Sequence, residues 1–153
     1  MSTYIIAEVG PNHNGNLELA RKMITELAST GVDAVKFQLA DPDLVYSKDS
    51  FKADYQIIND GDDSVIEMSR RVQLSQEEHL ILYNDCKVHG LDYLCTAFDL
   101  NSLSFLDNNF DLRYFKVASG ELLSLDMLDF MATGKRPILL STGMATLEEI
   151  SQS

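Results

Sequence analysis

Tryptophan is absent from this chain, proline occurs three times and cysteine twice, and basic residues are half as numerous as acidic ones. Each shortage excludes something. Cys86 and Cys95 have neither a metal-ligand spacing nor the partners for a disulfide framework, so both are expected as reduced thiols in or near the core. Twelve Lys and Arg against 24 Asp and Glu leave a net charge of −12, which argues against nucleic acid or an anionic membrane as partner. No apolar run approaches the ~20 residues that span a bilayer, and no signal-peptide core follows Met1, so the expected location is the cytoplasm. Small anionic substrates remain open, because a pocket is decided by its own residues and not by total charge.

The 153 residues are one domain's length, with 45% of them apolar. A chain of this size buries roughly 70% of its unfolded surface, enough for a real core. Short strand-like runs alternate with helix-like ones. TYIIAEVG (3–10), VDAVKFQ (32–38), LDYLCTAF (91–98), LRYFKVAS (112–119) and RPILLST (136–142) read as strands. Residues 16–31 place Leu17, Ala20, Ile24, Leu27 and Ala28 on one helical face, with Asn16 as N-cap and Gly31 as stop. Residues 75–90 open with a Ser-x-x-Glu capping box and close on a glycine. Shorter helices are expected at 101–108 and at 124–133, the latter capped by Ser124 and closed by Gly134. A further Thr-x-x-Glu box at 146–149 starts a fifth helix near the last residue. Strands alternating with helices imply a parallel sheet of right-handed crossovers. Residues 39–74 interrupt the rhythm as a long, polar, acid-rich connection, which in a compact domain is either a lid or floppy.

The strand ends carry the chemistry. RYFKVASGEL (113–122) begins as a buried strand, yet holds Lys116 in its middle and Glu121 just beyond its end. Charged residues are rarely buried unpaired. The other strands behave alike: Glu8 closes the first, Lys36 and Gln38 the second, Thr96 the third, Ser119 the fourth, Ser141 and Thr142 the fifth. In parallel α/β folds this is the edge where ligands bind. Two lysines, several hydroxyls and glycine-flanked amides suit a phosphate and a carboxylate, and two carboxylates add candidates for proton transfer. Taken singly, Lys36 or Lys116 reads equally as an outward lysine snorkelling past the helices, and Glu8 as its salt-bridge partner. In the turn-rich GPNHNG (10–15), His13 either touches ligand or holds the loop together. His79 and His89 are expected on the surface, and three scattered histidines make no metal site. Arg70 and Arg71 read as solvated charges, or as an arginine pair that meets phosphate from a lid.

In this order and spacing, AEVGPNHNG (7–15), AVKFQ (34–38), YFKVASGE (114–121) and LLSTGMAT (139–146) resemble the sialic acid synthases, the family of N-acetylneuraminate, legionaminate and pseudaminate synthases. The resemblance implies a (β/α)8 TIM barrel that condenses phosphoenolpyruvate with an open-chain N-acetylated amino sugar, N-acetylmannosamine or a related 6-deoxy sugar. The product would be a nine-carbon 2-keto sugar acid, with phosphate released. It implies that Lys36 and Lys116 hold the phosphoenolpyruvate anion, with Thr96, Ser119 and Ser141 around its phosphate and carboxylate and Gln38 and His13 also at the substrate. Glu121 is then the carboxylate that handles a proton or orients water, and Glu8 holds a sugar hydroxyl or shares that role. Mn or Mg is implied as cofactor, with ligands beyond residue 153 and none in this chain, and a homodimer is implied for the full-length parent. Thr96-Ala97 stands where Thr-Pro is usual in the family. Barrels run to about 250 residues. Residues 1–153 are therefore expected to form the N-terminal part of the barrel, about five strands. The later strands and a C-terminal antifreeze-like domain would be absent, and the chain inactive alone. Two other readings fit the residues: a Schiff-base barrel aldolase with Lys116 as nucleophile, and a non-catalytic module that binds phosphorylated sugars.

Overall fold

The computed structural model describes residues 3–47, 49–51, 64–134 and 136–153. Five strands, β1 (Ile6–Glu8), β2 (Ala34–Leu39), β3 (Asp92–Ala97), β4 (Phe115–Val117) and β5 (Ile138–Leu140), form one parallel sheet in sequential order. Helices follow each strand: α1 (Leu17–Ala28), α2 (Pro42–Val45), α3 (Val65–Val72), α4 (Gln76–Val88), α5 (Leu100–Asn109), α6 (Leu125–Thr133) and α7 (Leu147–Gln152). Sequential parallel order with helices on one side is the construction of a (β/α) barrel, here as a five-stranded half. Among the described residues β1 and β5 each pair on one side only. The strands are shorter than the runs that announce them, although the Ser141 N–H still donates to the Val117 carbonyl at 3.1 Å.

Alternation along β2 sets the two faces of the sheet. Val35, Phe37 and Leu39 are buried against the helical layer, while Lys36 and Gln38 alternate with them on the opposite face. Tyr93, Cys95 and Ala97 of β3 and Phe115 and Val117 of β4 join the helical side, as do Ala20 and Ile24 of α1 and Leu82 and Cys86 of α4. Asn16 caps α1, its side chain accepting from the Leu19 N–H at 3.0 Å. Reciprocal capping boxes open α3 (Ser64, Glu67), α4 (Ser75, Glu78) and α7 (Thr146, Glu149). Cys86 and Cys95 are both buried and free, and burial pushes each thiol up to about 12.

Two expectations change. His79 is not a surface residue: it is 0% exposed, its Nδ1 lies 2.6 Å from the Tyr93 hydroxyl, and its ring meets Phe37 edge-on. The reason is helical spacing, since His79, Leu82 and Cys86 lie three and four residues apart on one buried stripe of α4. His89, at the end of α4, is exposed as expected. The connection 39–74 is not wholly irregular either. It contains α2 and α3, and Arg70 of α3 pairs with Asp43 of α2 at 2.5 Å, a surface ion pair. Residues 52–63 of the expected lid or floppy stretch lie outside the described residues.

Candidate active site

The inward side chains at the C-terminal ends of the strands form a hydrogen-bonded row. Parallel register puts Glu8 beside Lys36, Gln38 beside Thr96, and Thr96 beside Lys116. Gln38 Nε2 donates to Glu8 Oε1 at 3.2 Å, and Lys36 Nζ lies 2.5 Å from Glu8 Oε2 and 3.3 Å from Thr96 Oγ1. Lys116 Nζ donates to the Val117 carbonyl at 2.5 Å and to Ser141 Oγ at 2.6 Å. Six of the residues singled out in the sequence thus share one face, bonded as Gln38–Glu8–Lys36–Thr96 and as Lys116–Ser141, with Thr96 and Lys116 adjacent in register. Neither lysine snorkels outward.

Electrostatics suit an anion there. Two cations face one carboxylate, so the row carries net positive charge within a chain of −12. Lys116 is held below the ordinary lysine range, first by burial and then by Lys36, with Glu8 opposing. An incoming anion would relieve both penalties. An ammonium has three protons, and each lysine's two contacts above leave one to offer.

Gly10 makes room for this arrangement. Its φ of +52° is left-handed, and a Cβ there would lie 2.9 Å from Glu8 Oε1 and 3.2 Å from Gln38 Nε2. The sequence marks Gly10 as the end of a strand and the start of a turn, with no sign of its closeness to Glu8.

Ser119 and Glu121 sit on a 3₁₀ turn, Ser119–Glu121, directly after β4. Ser119 Oγ is within 3.6 Å of where a Cβ on Gly143 would stand, so it adjoins the loop after β5. That loop contains Met144 at a φ of +63°, an uncommon conformation for a side chain of its size. Ser119 also lines a cavity of about 290 Å³ with Gly143, Met144 and Glu149. Glu121 turns towards α6, where the Ser124 hydroxyl donates to its Oε2 at 2.5 Å. Ser124 occupies the N-cap position of α6 but makes no side-chain cap bond, which corrects the expectation of a serine cap. Its role is not announced by any pattern in the sequence. Asp99, also unremarked in the sequence, fastens the loop after β2: the Asp41 N–H donates to Oδ2 at 2.8 Å, and Ser102 N–H to Oδ1 at 2.7 Å.

His13 is not brought to the row. It is 2% exposed, its Nδ1 accepts from the Gly15 N–H at 3.1 Å, and its ring lies against Phe37, which belongs to the helical side of β2. Burial lowers its proton affinity. The loop-holding reading of His13 is the one this geometry matches. Among the described residues no three of His, Cys, Asp and Glu converge as a metal-binding group.

A half-barrel with two lysines, a carboxylate and hydroxyls gathered at its strand ends is the class that fold and site define. The chain belongs to the NeuB family, whose model matches residues 23–153. It is 40% identical over 152 residues to the N,N'-diacetyllegionaminic acid synthase of Campylobacter jejuni, covering 99% of this chain and 45% of that protein. With the enzyme of the same name from Legionella pneumophila it shares 37% over 151 residues, 98% of this chain and 42% of the relative. The fold matches the crystal structure of the N-acetylneuraminic acid synthetase of Leptospira borgpetersenii with a TM-score of 0.85 at 25% identity, covering 99% of this chain and 48% of that one. The chain thus spans less than half the length of these relatives.

Proposed function

We propose that this chain contributes the phosphoenolpyruvate-binding half of a synthase that condenses phosphoenolpyruvate with an N-acetylated amino sugar. The observation that carries the reading is the connected row Gln38–Glu8–Lys36–Thr96 with Lys116–Ser141 beside it, at the edge where barrels do their chemistry. Lys36 and Lys116 clamp the phosphate and carboxylate of phosphoenolpyruvate, with Thr96, Ser119 and Ser141 completing the cradle. Carbon 3 of phosphoenolpyruvate forms the new bond to the sugar's aldehyde carbon, and the aldehyde oxygen takes up a proton to become a hydroxyl. Water adds at carbon 2 and gives up its protons, one of them to Glu121. Phosphate then leaves carbon 2, and the ketone remains. The fixed cations stabilise the negative charge that gathers on the phosphate as its bond to carbon 2 breaks. Glu8, anchored by Lys36 and Gln38, has a carboxylate edge for a sugar hydroxyl.

On this reading the sugar side, and the Mn or Mg that the family resemblance implies, are held by the segment its relatives carry beyond the matched part. A dimer and a cytoplasmic setting belong to the same proposal. No helix among the described residues is long and apolar enough to cross a membrane. The names of the two legionaminic acid synthases carry two acetyl groups, which supports testing a diacetamido acceptor beside N-acetylmannosamine.

One observation favours the Schiff-base reading: Lys116 has a lowered proton affinity, as an imine-forming lysine needs. Against it, Lys116 donates to two acceptors, which suits an ammonium. Borohydride trapping with pyruvate separates the two, and no adduct at Lys116 is expected. The main test is phosphate release from phosphoenolpyruvate and amino sugar with Mn²⁺, for this chain and for a version extended through the remaining strands. Turnover in the extended version alone supports the proposal. Turnover in neither contradicts it.

A further inference from the structure

Hydroxyl residues open several helices of this chain, and one of them departs from the rest. Ser64, Ser75 and Thr146 each accept an N–H from the third helical residue, as an N-cap should, with ψ of 153°, 164° and 161°. Ser124 has a ψ of 75° and caps nothing. Its hydroxyl instead points back across the turn and donates to Glu121 Oε2 at 2.5 Å, while its N–H donates to the Glu121 carbonyl at 3.1 Å. The start of α6 gives up a cap, and Glu121 gains a fixed partner. Glu121 and Ser124 together face a cavity of about 260 Å³, walled in part by Phe98, Asp99 and Met127.

We infer that Ser124 is a positioning residue for Glu121, its hydroxyl occupying Oε2 so that Oε1 is the oxygen presented to the reacting water. The inference rests on the reading of Glu121 as the proton-handling carboxylate. A hydroxyl has one proton to give, and giving it to Oε2 fixes the rotation of the carboxylate about its last bond. Glu121 is otherwise a single side chain on a short turn, with several rotatable bonds between backbone and carboxylate. A fixed carboxylate is what proton transfer at one atom requires, since the acceptor must lie within hydrogen-bond reach of the water at the moment of reaction. The contact belongs to the turn itself, so it is in place before substrate binds.

A brace that merely stiffens the turn would be indistinguishable by stability alone, so the test reads coupling. Phosphate release and calorimetric phosphoenolpyruvate binding are measured, in the version extended through the remaining strands, for S124A, S124T, E121Q and the E121Q/S124A double variant. S124A is expected to lower kcat about ten- to hundredfold with phosphoenolpyruvate affinity within about twofold, and S124T to restore most of the rate. In the E121Q background S124A should have no further effect, because the group it positions is already gone. An S124A protein at wild-type kcat, or one that loses the same factor with and without Glu121, overturns the inference. Wild-type kcat in E121Q instead contradicts the reading of Glu121, and the role of Ser124 falls with it. Should S124A fail to fold, S124C, which keeps the volume and weakens the donor, is judged by the same criteria.

Discussion

On one face of β2, Lys36 and Gln38 meet Glu8 and Thr96 in a row of ion-pair and hydrogen-bond contacts. On the other, Phe37 packs beside His13, His79 and Tyr93, and both histidines are driven towards the neutral form by burial. The two faces of one strand therefore border two kinds of partly or wholly buried polar group. The difference lies in what surrounds them. Inward, each cation has a carboxylate, hydroxyl or carbonyl at hydrogen-bond distance. Outward, aromatic rings leave His79 Nε2 with no partner at all among the described residues. Polar groups that face a cleft are arranged for a ligand, whereas those against helices are tolerated only without charge.

The comparison breaks most severely at Phe37. Replacing it with alanine should remove about 3–5 kcal/mol of stability, read in a urea melt, because the ring is fully buried between α4 and β3. A loss under 1 kcal/mol would mean the outer layer can collapse into the gap. A smaller effect comes from acid. His79 titrates at about 4 where the unfolded chain's histidine titrates at 6.5. The unfolded state thus binds more protons between those values, and stability must fall as pH drops through that window. The loss should approach about 3 kcal/mol by pH 4, with full stability above pH 7. His79→Phe should flatten that part of the stability profile. An unchanged slope would show that other groups govern it. The smallest expected change is at the inward row. Gly10→Ala pushes a methyl to 2.9 Å from Glu8 Oε1 at a left-handed φ. It should cost about 1 kcal/mol in thermal stability and weaken phosphoenolpyruvate binding severalfold. Unaltered binding would separate Glu8 placement from the anion site.

Much of this was legible in the chain before its structure. The alternation Val35-Lys36-Phe37-Gln38 declares which side chains share a face, and the polar group at each strand end declares the rim. Polarity alone puts His79 on the surface, whereas its spacing from Leu82 and Cys86 marks the buried stripe. α3 lies within a polar, acid-rich stretch that hides it, although Ser64-x-x-Glu67 carries the same capping signature as α4 and α7. His13 was ambiguous in sequence because a turn does not reveal which layer its side chain enters. The contact of Ser124 with Glu121 has no sequence signal, since a serine before a helix announces a cap first and a carboxylate partner only in three dimensions.

The central claim is that the inward lysines exist to hold an anion, and calorimetric titration with phosphoenolpyruvate tests it most directly. Lys36→Met and Lys116→Met are compared with the unaltered chain, with thermal melts to confirm folding. Saturable binding by the unaltered chain, weakened at least about tenfold by each substitution in a folded protein, is the expected result. The affinity should also decline as pH rises towards 10.5, because Lys116 loses its proton below that ordinary value. Binding of equal strength in both methionine variants, or no binding by the unaltered chain, would contradict the account.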